Sequence, residues 1–235
     1  MNELRGRSWS LAKTKTKIKK PQPAGKTVLA SATNKSKFLV ELWLKETQPQ
    51  TLWSGEVVEL GPTIADSPEQ EANLRRYLAE LGRREFTAAE SGLAPSAPVA
   101  SVAFRLAGNQ ACTSCHGQDA QQWSASKHAH TWQTLVDKGF HVDSSCQQCH
   151  TTGFAMPGGF QSLKDTAALT NVGCESCHGP SAAHVQDPRQ RTPFLAKDQC
   201  TRCHDHENSP KFDYAAFWQR IQHGAKATTA SGGTR

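Results

Sequence analysis

Cys112-Thr113-Ser114-Cys115-His116 is the first of four Cys-x-x-Cys-His stretches. The others are Cys146-Gln147-Gln148-Cys149-His150, Cys174-Glu175-Ser176-Cys177-His178 and Cys200-Thr201-Arg202-Cys203-His204. They use all eight cysteines of the chain. The pattern is the attachment signature of haem c. Two thiols three residues apart lie on one side of about a single helical turn. Each can form a thioether with one vinyl group of the same porphyrin. The histidine that follows offers an imidazole nitrogen to the iron as proximal ligand. The eight cysteines are therefore read as the attachment residues of four haem c groups. His116, His150, His178 and His204 are read as their proximal ligands.

Other uses of cysteine fit less well. Paired Cys-x-x-Cys units can hold tetrahedral zinc through four thiolates, and eight cysteines can pair as disulfides. Neither reading explains a histidine after every second cysteine, when histidine is only 10 of 235 residues. Iron–sulfur ligation calls for runs such as Cys-x2-Cys-x2-Cys, which do not occur in this sequence.

Composition narrows the picture. Apolar residues make up 37% of the chain and mean hydropathy is −0.60, which predicts a thin side-chain core. Porphyrins bring large apolar faces for side chains to cover. The formal charge of +6 is uneven: residues 1–37 hold ten Lys/Arg and one Glu, and the remainder holds 17 basic and 20 acidic residues. The basic run Lys13-Thr14-Lys15-Thr16-Lys17-Ile18-Lys19-Lys20 has no interleaved aromatics. It reads as a solvated arm rather than a nucleic-acid contact. No stretch reaches the ~18 apolar residues of a membrane span. Haem c is joined to protein outside the cytoplasm, so a periplasmic or extracellular location is expected. No apolar signal core is visible in the first 30 residues, so the chain is expected to be a fragment.

The chain divides by composition. Residues 1–26 read as a disordered basic leader. Residues 27–86 read as a β-strand/helix segment, with extended runs at Thr27–Ala32, Lys37–Lys45 and Leu52–Leu60. In it a helix starts at Ser67-Pro68-Glu69, carries Leu74, Tyr77, Leu78 and Leu81 on one face, and ends at Gly82. Residues 87–103 read as a linker, which predicts that residues 1–100 are dispensable for haem attachment. Residues 104–224 hold the motifs, spaced 34, 28 and 26 residues apart, with short helices expected around each. Residues 225–235 read as a disordered tail.

From Ala107 to Gly224 the sequence resembles the multihaem cytochromes c of the c-554 and c-prime type. The resemblance rests on Trp123-Ser124-Ala125-Ser126-Lys127-His128-Ala129 and on His150-Thr151-Thr152-Gly153-Phe154. It continues in Val172-Gly173-Cys174-Glu175-Ser176-Cys177-His178-Gly179-Pro180 with His184 beyond, in Asn208-Ser209-Pro210 and Phe212, and in Ile221-Gln222-His223-Gly224. It implies a mainly α fold with much irregular structure: a tetrahaem domain packed around its haems, preceded by the small β-strand/helix segment. It implies electron transfer with redox partner proteins in a respiratory or nitrogen-cycle chain. A weaker resemblance links residues 27–82 to the tail of a calcineurin-like metallophosphoesterase domain. It implies an upstream domain of that type outside this chain. Phosphatase activity is not expected here, since no histidine precedes His116.

The resemblance assigns His128, His184 and His223 as distal iron ligands. His128 is expected to reach a haem other than the first, the third being favoured. His141 is a further candidate. His130 and His206 read as surface histidines or propionate partners, and Met156 as the weakest alternative, a sulfur ligand. The gap between His150 and Cys174 holds no histidine, which leaves one haem without an assigned distal ligand. Two imidazoles close an iron and make an electron carrier, whereas an open side admits a small molecule. The electron carrier is the leading reading. Redox catalysis on a nitrogen oxide at a five-coordinate haem is the alternative. Trp123, Trp132 and Trp218 are expected to cover porphyrin faces, and Lys127 and Arg202 are candidate propionate partners.

Overall fold

The computed structural model describes residues 20–24, 27–30, 37–47, 50–94, 104–205 and 208–224. Most of the expected leader, part of the expected linker, His206 and the expected tail lie outside them. The chain forms two compact units, Met1–Ser67 and Pro68–Arg235.

The first unit is β structure. β1 (Gln22–Ala24) pairs antiparallel with β2 (Thr27–Leu29), and β3 (Phe38–Thr47) pairs antiparallel with β4 (Gln50–Glu59). β1 falls inside the stretch read as leader. Pro23 is tolerated there because a two-stranded ribbon has a free edge that needs no N–H donor. Valine, tryptophan, threonine and phenylalanine, all strand-favouring residues, recur along the longer hairpin.

The second unit opens with α1 (Pro68–Arg84). Pro68 suits the first turn, where no N–H is needed. Glu69 and Glu71 face the positive end of the helix dipole, and Arg83 and Arg84 the negative end. Glu80 accepts from both arginines at 2.6–2.8 Å. These bonds carry the helix two residues past Gly82, its expected end. Gly82 lies close to Val142: a Cβ there would meet the Val142 side chain at 3.3 Å.

Beyond α1 the chain is short helices and turns, mainly α with much irregular structure. They are α2 (Asn109–Thr113), α3 (Gly117–Ser124), α4 (Thr131–Lys138), α5 (Ser144–His150), α6 (Leu163–Thr166), α7 (Cys174–His178), α8 (Ala182–Gln186) and α9 (Tyr214–Ile221). A 3-10 turn at Lys127–His130 precedes α4, and another at Cys200–Arg202 carries the fourth motif. Among the described residues no helix is long and apolar enough to cross a membrane.

The side-chain core is small, as composition suggested. Ala88, Phe154, Phe160 and Leu169 are buried together, with Trp132 and Ala155 against them. Ala88 is fully buried, and its N–H donates to Gln161 O at 2.6 Å. Ala88, the second residue of the expected linker over 87–103, is thus part of this core. The alanine- and serine-rich composition of that stretch suggested free chain, yet a small residue is what fits between the rings of this core.

A buried polar network joins the motif-bearing segments. Asn109 Oδ1 accepts from Cys174 N at 2.9 Å, and Thr152 Oγ1 accepts from Gly173 N at 2.8 Å while donating to Asn171 O at 2.8 Å. Gly173 is required by crowding, because a Cβ there would lie 2.6 Å from Thr152 Oγ1.

Candidate haem-binding site

Each motif forms about one helical turn. In the first and fourth, the N–H of the histidine donates to the carbonyl of the first cysteine at 2.9 Å, from His116 to Cys112 and from His204 to Cys200. The second lies in α5, capped by Asp143, which accepts from Ser145 N at 2.8 Å. The third is α7 itself. No two of the eight cysteines are joined as a disulfide. Among the described residues no group of three or more His, Cys, Asp or Glu comes together to hold an ion.

The attachment thiols meet across motifs. Cys112 is hydrogen-bonded to Cys174, which raises the Cys112 thiol from its ordinary range and lowers that of Cys174. Cys203 is raised by a like bond to Cys149. Burial and the neighbouring Cys200 push the Cys177 thiol up to about 11. The motifs thus adjoin in the order first, third, fourth, second.

The histidines pair. His116 faces His184 with ring centres 6.2 Å apart, His128 faces His204 at 6.0 Å, and His178 faces His223 at 5.9 Å. An imidazole nitrogen lies about 2 Å from a metal it ligates, and its ring centre roughly 1 Å further, so two rings across one metal stand roughly 6 Å apart. All three pairs have that spacing.

The other ring nitrogens agree with it. Nδ1 of His150 lies 2.8 Å from Thr131 O, Nδ1 of His184 2.6 Å from Gln190 O, and Nδ1 of His223 2.9 Å from Ile221 O. A carbonyl only accepts, so each Nδ1 donates its N–H, which leaves Nε2 as the nitrogen that can face a metal. Metal-ligating histidines are ordinarily oriented in this way. Nδ1 of His204 lies 2.9 Å from Ser209 Oγ, and its ring stacks on Phe212 at 4.7 Å. Burial, the largest cause, holds His128, His178 and His204 below the usual imidazole range, in the neutral form a metal needs.

His128 corrects one expectation. It faces the fourth motif, not the third. Its backbone is near the third motif: His128 O accepts from Val172 N at 3.1 Å, and Trp123 Nε1 donates to Val172 O at 2.9 Å. From that anchor the side chain reaches His204. α9, whose Asp213 cap accepts from Ala216 N at 2.8 Å, leads through Gln222 to His223.

The remaining candidates lie elsewhere. Among the described residues no imidazole faces His150. His141 stands edge-on to Trp132 at 6.2 Å, and its buried Nδ1 has no partner. His130 is exposed and has Nε2 3.0 Å from Ser124 O, the reverse of the pattern in the paired rings. Met156 sits in a turn, its N–H donating to Gly153 O at 2.9 Å. Trp132 packs on Phe160, Trp218 stacks on Tyr214, and Arg202 lies over Phe194.

Residues 111–179 match the family cytochrome c554 and c-prime. This region is a multihaem c-type cytochrome. Over 154 residues the chain is 30% identical to cytochrome c-554 of Nitrosomonas europaea, covering 48% of this chain and 66% of that one. Over 77 residues it is 35% identical to a probable fumarate reductase Ifc3 of Shewanella frigidimarina, covering 31% of this chain and 12% of that one. The chain thus spans just under two thirds of the first relative and a small part of the second. No solved structure gives a significant match. The cytochrome region also depends on a residue that the motif reading passed over. Glu175 is the only acidic residue inside any of the four motifs, and its carboxylate is buried.

Proposed function

We propose that this chain is a tetrahaem electron carrier. Cys112 and Cys115, Cys146 and Cys149, Cys174 and Cys177, and Cys200 and Cys203 each hold one haem c. The observation that carries the reading is the three imidazole pairs at 5.9–6.2 Å, each joining a motif histidine to one from a different segment. His116 with His184, His178 with His223 and His204 with His128 are the axial pairs. Among the described residues His150 is the single imidazole at the second site.

Haem c supplies reversible one-electron chemistry at a covalently held iron. The chain's residues do the rest. The paired imidazoles keep small molecules off three sites and hold geometry nearly constant between oxidation states. The carbonyls of Thr131, Gln190 and Ile221 hold the rings by their Nδ1–H groups. The bonds Cys112–Cys174 and Cys203–Cys149, and the nearness of Cys200 to Cys177, support neighbouring sites, the third beside the first and the second beside the fourth.

Four sites in contact serve relay between redox proteins outside the cytoplasm, in a respiratory or nitrogen-cycle chain. The single imidazole at His150 marks where an added ligand would bind, but nothing around it favours turnover over relay. A potentiometric titration of matured protein tests the proposal. Four reversible one-electron steps per chain, with no substrate added, are expected. Fewer than four, or none that reverse, would refute it.

A further inference from the structure

Glu175 is 4% exposed, in a motif position where the other three sites carry threonine or glutamine. Its carboxylate accepts three backbone N–H bonds. Oε1 takes Ala107 N at 2.9 Å and Ser181 N at 2.8 Å, and Oε2 takes Gly108 N at 2.7 Å. An ionised carboxylate is acceptor-only, whereas a protonated one needs an acceptor for its own O–H. The three bonded partners are all donors, so the cage fits the anion.

The cage lies between two attachment sites. Glu175 adjoins Cys174 in the chain. Gly108, whose N–H it holds, has its carbonyl 3.8 Å from Cys112 Sγ. Ser181 opens α8, which carries His184 to its place opposite His116. One carboxylate thus ties together the approach to the first motif, the third motif and the helix bearing the first motif's second imidazole.

We propose that Glu175 is a fixed buried anion that lowers the reduction potentials of the haems held at Cys112/Cys115 and Cys174/Cys177, and that the same bonds position His184. The inference rests on the tetrahaem reading. Reducing an iron adds one electron and no proton at this cage. The added negative charge is disfavoured beside a carboxylate, and more so where water is excluded. The second and fourth motifs make no bond to Glu175 and feel it less. Glu175 is a positioning and electrostatic residue, not a ligand.

The test is E175Q in the full chain, matured with haem. Glutamine keeps the size and one acceptor but removes the charge. Two of the four midpoint potentials should rise, those of the first and third sites, while the other two move less and the low-spin count is unchanged. Four unmoved midpoints with intact coordination would overturn the proposal. So would loss of the His116/His184 low-spin signal with the third site unmoved, since a merely structural bond would do that. E175D, which keeps the charge on a shorter arm, should leave the third site's midpoint closer to wild type than E175Q does. Where E175Q does not mature, unmutated protein labelled with carbon-13 glutamate decides by infrared difference spectroscopy. An ionised, label-sensitive carboxylate band that shifts as the first and third sites are reduced supports the proposal, and no such band overturns it. Fewer than four haems on the unmutated chain would refute the carrier reading instead.

Discussion

The imidazole of His128 faces that of His204 with ring centres 6.0 Å apart, although His128 follows the first motif and His204 ends the fourth. As the proposed axial ligands of one iron, the two rings would tie together the two ends of the motif-bearing region. His128→Ala should therefore open the fourth site without releasing covalent haem. One new high-spin signal and one additional carbon-monoxide-binding haem in the reduced protein are the expected results. Optical and paramagnetic spectra check both. An unchanged spectrum would show that His128 is no ligand.

The other pairs extend this to a set. His184→Ala should open the first site and His223→Ala the third, each adding one high-spin haem. His130→Ala should change nothing in the spectrum, because its Nε2 is engaged by Ser124 O and its ring is exposed. The lost signals are distinguishable, since the His116/His184 rings are twisted by 33° and the His178/His223 rings by 63°. The more nearly perpendicular pair should give the more anisotropic low-spin signal.

Much of the site was legible in the sequence because covalent haem attachment needs two thiols and an imidazole at fixed spacing. Cys112, Cys115 and His116 can be read locally for that reason. The second imidazole of each pair comes from a distant segment, so spacing could not assign it. His128 shows this: its sequence neighbours suggested another haem, but only the fold directs it to His204. Ala88 was illegible for a different reason. An alanine in a Ser/Pro-rich stretch looks like linker, and its burial depends on a pocket made by Phe154, Phe160 and Leu169. Glu175 had a weak signal, an acid inside a motif, but its three partners lie on two other segments, Ala107-Gly108 and Ser181.

The burial of Ala88 bears on truncation. A chain beginning at Pro68 should load haem as the full chain does and melt at a similar temperature. A chain beginning at Phe104 lacks Ala88 and its bond to Gln161. Uncovering even one phenylalanine side chain costs roughly 1.5–3 kcal/mol, so it should be less stable by at least that order. Thermal melts of the two matured proteins compare them directly. Equal stability would show that residues 68–103 contribute nothing to the core.

Gly179 follows the third motif with φ +81° and ψ 176°, a conformation essentially confined to glycine. A Cβ there would also lie 2.7 Å from the Phe194 ring. Gly179→Ala should cost about 1–3 kcal/mol and lower the melting temperature by roughly 2–12 °C, with haem content retained. Calorimetry of the matured variant checks this. An unaltered melt would mean that the turn after His178 relaxes freely.

The spin states of the ferric irons bear most directly on the three-pair arrangement. Paramagnetic resonance with magnetic circular dichroism, on matured protein whose haem content is known by mass, counts them. Three low-spin irons with two imidazoles each, and one high-spin iron at the second site, are expected. Four low-spin irons would mean that a residue outside the three pairs ligates at His150, and two or more high-spin irons would break the pairing itself.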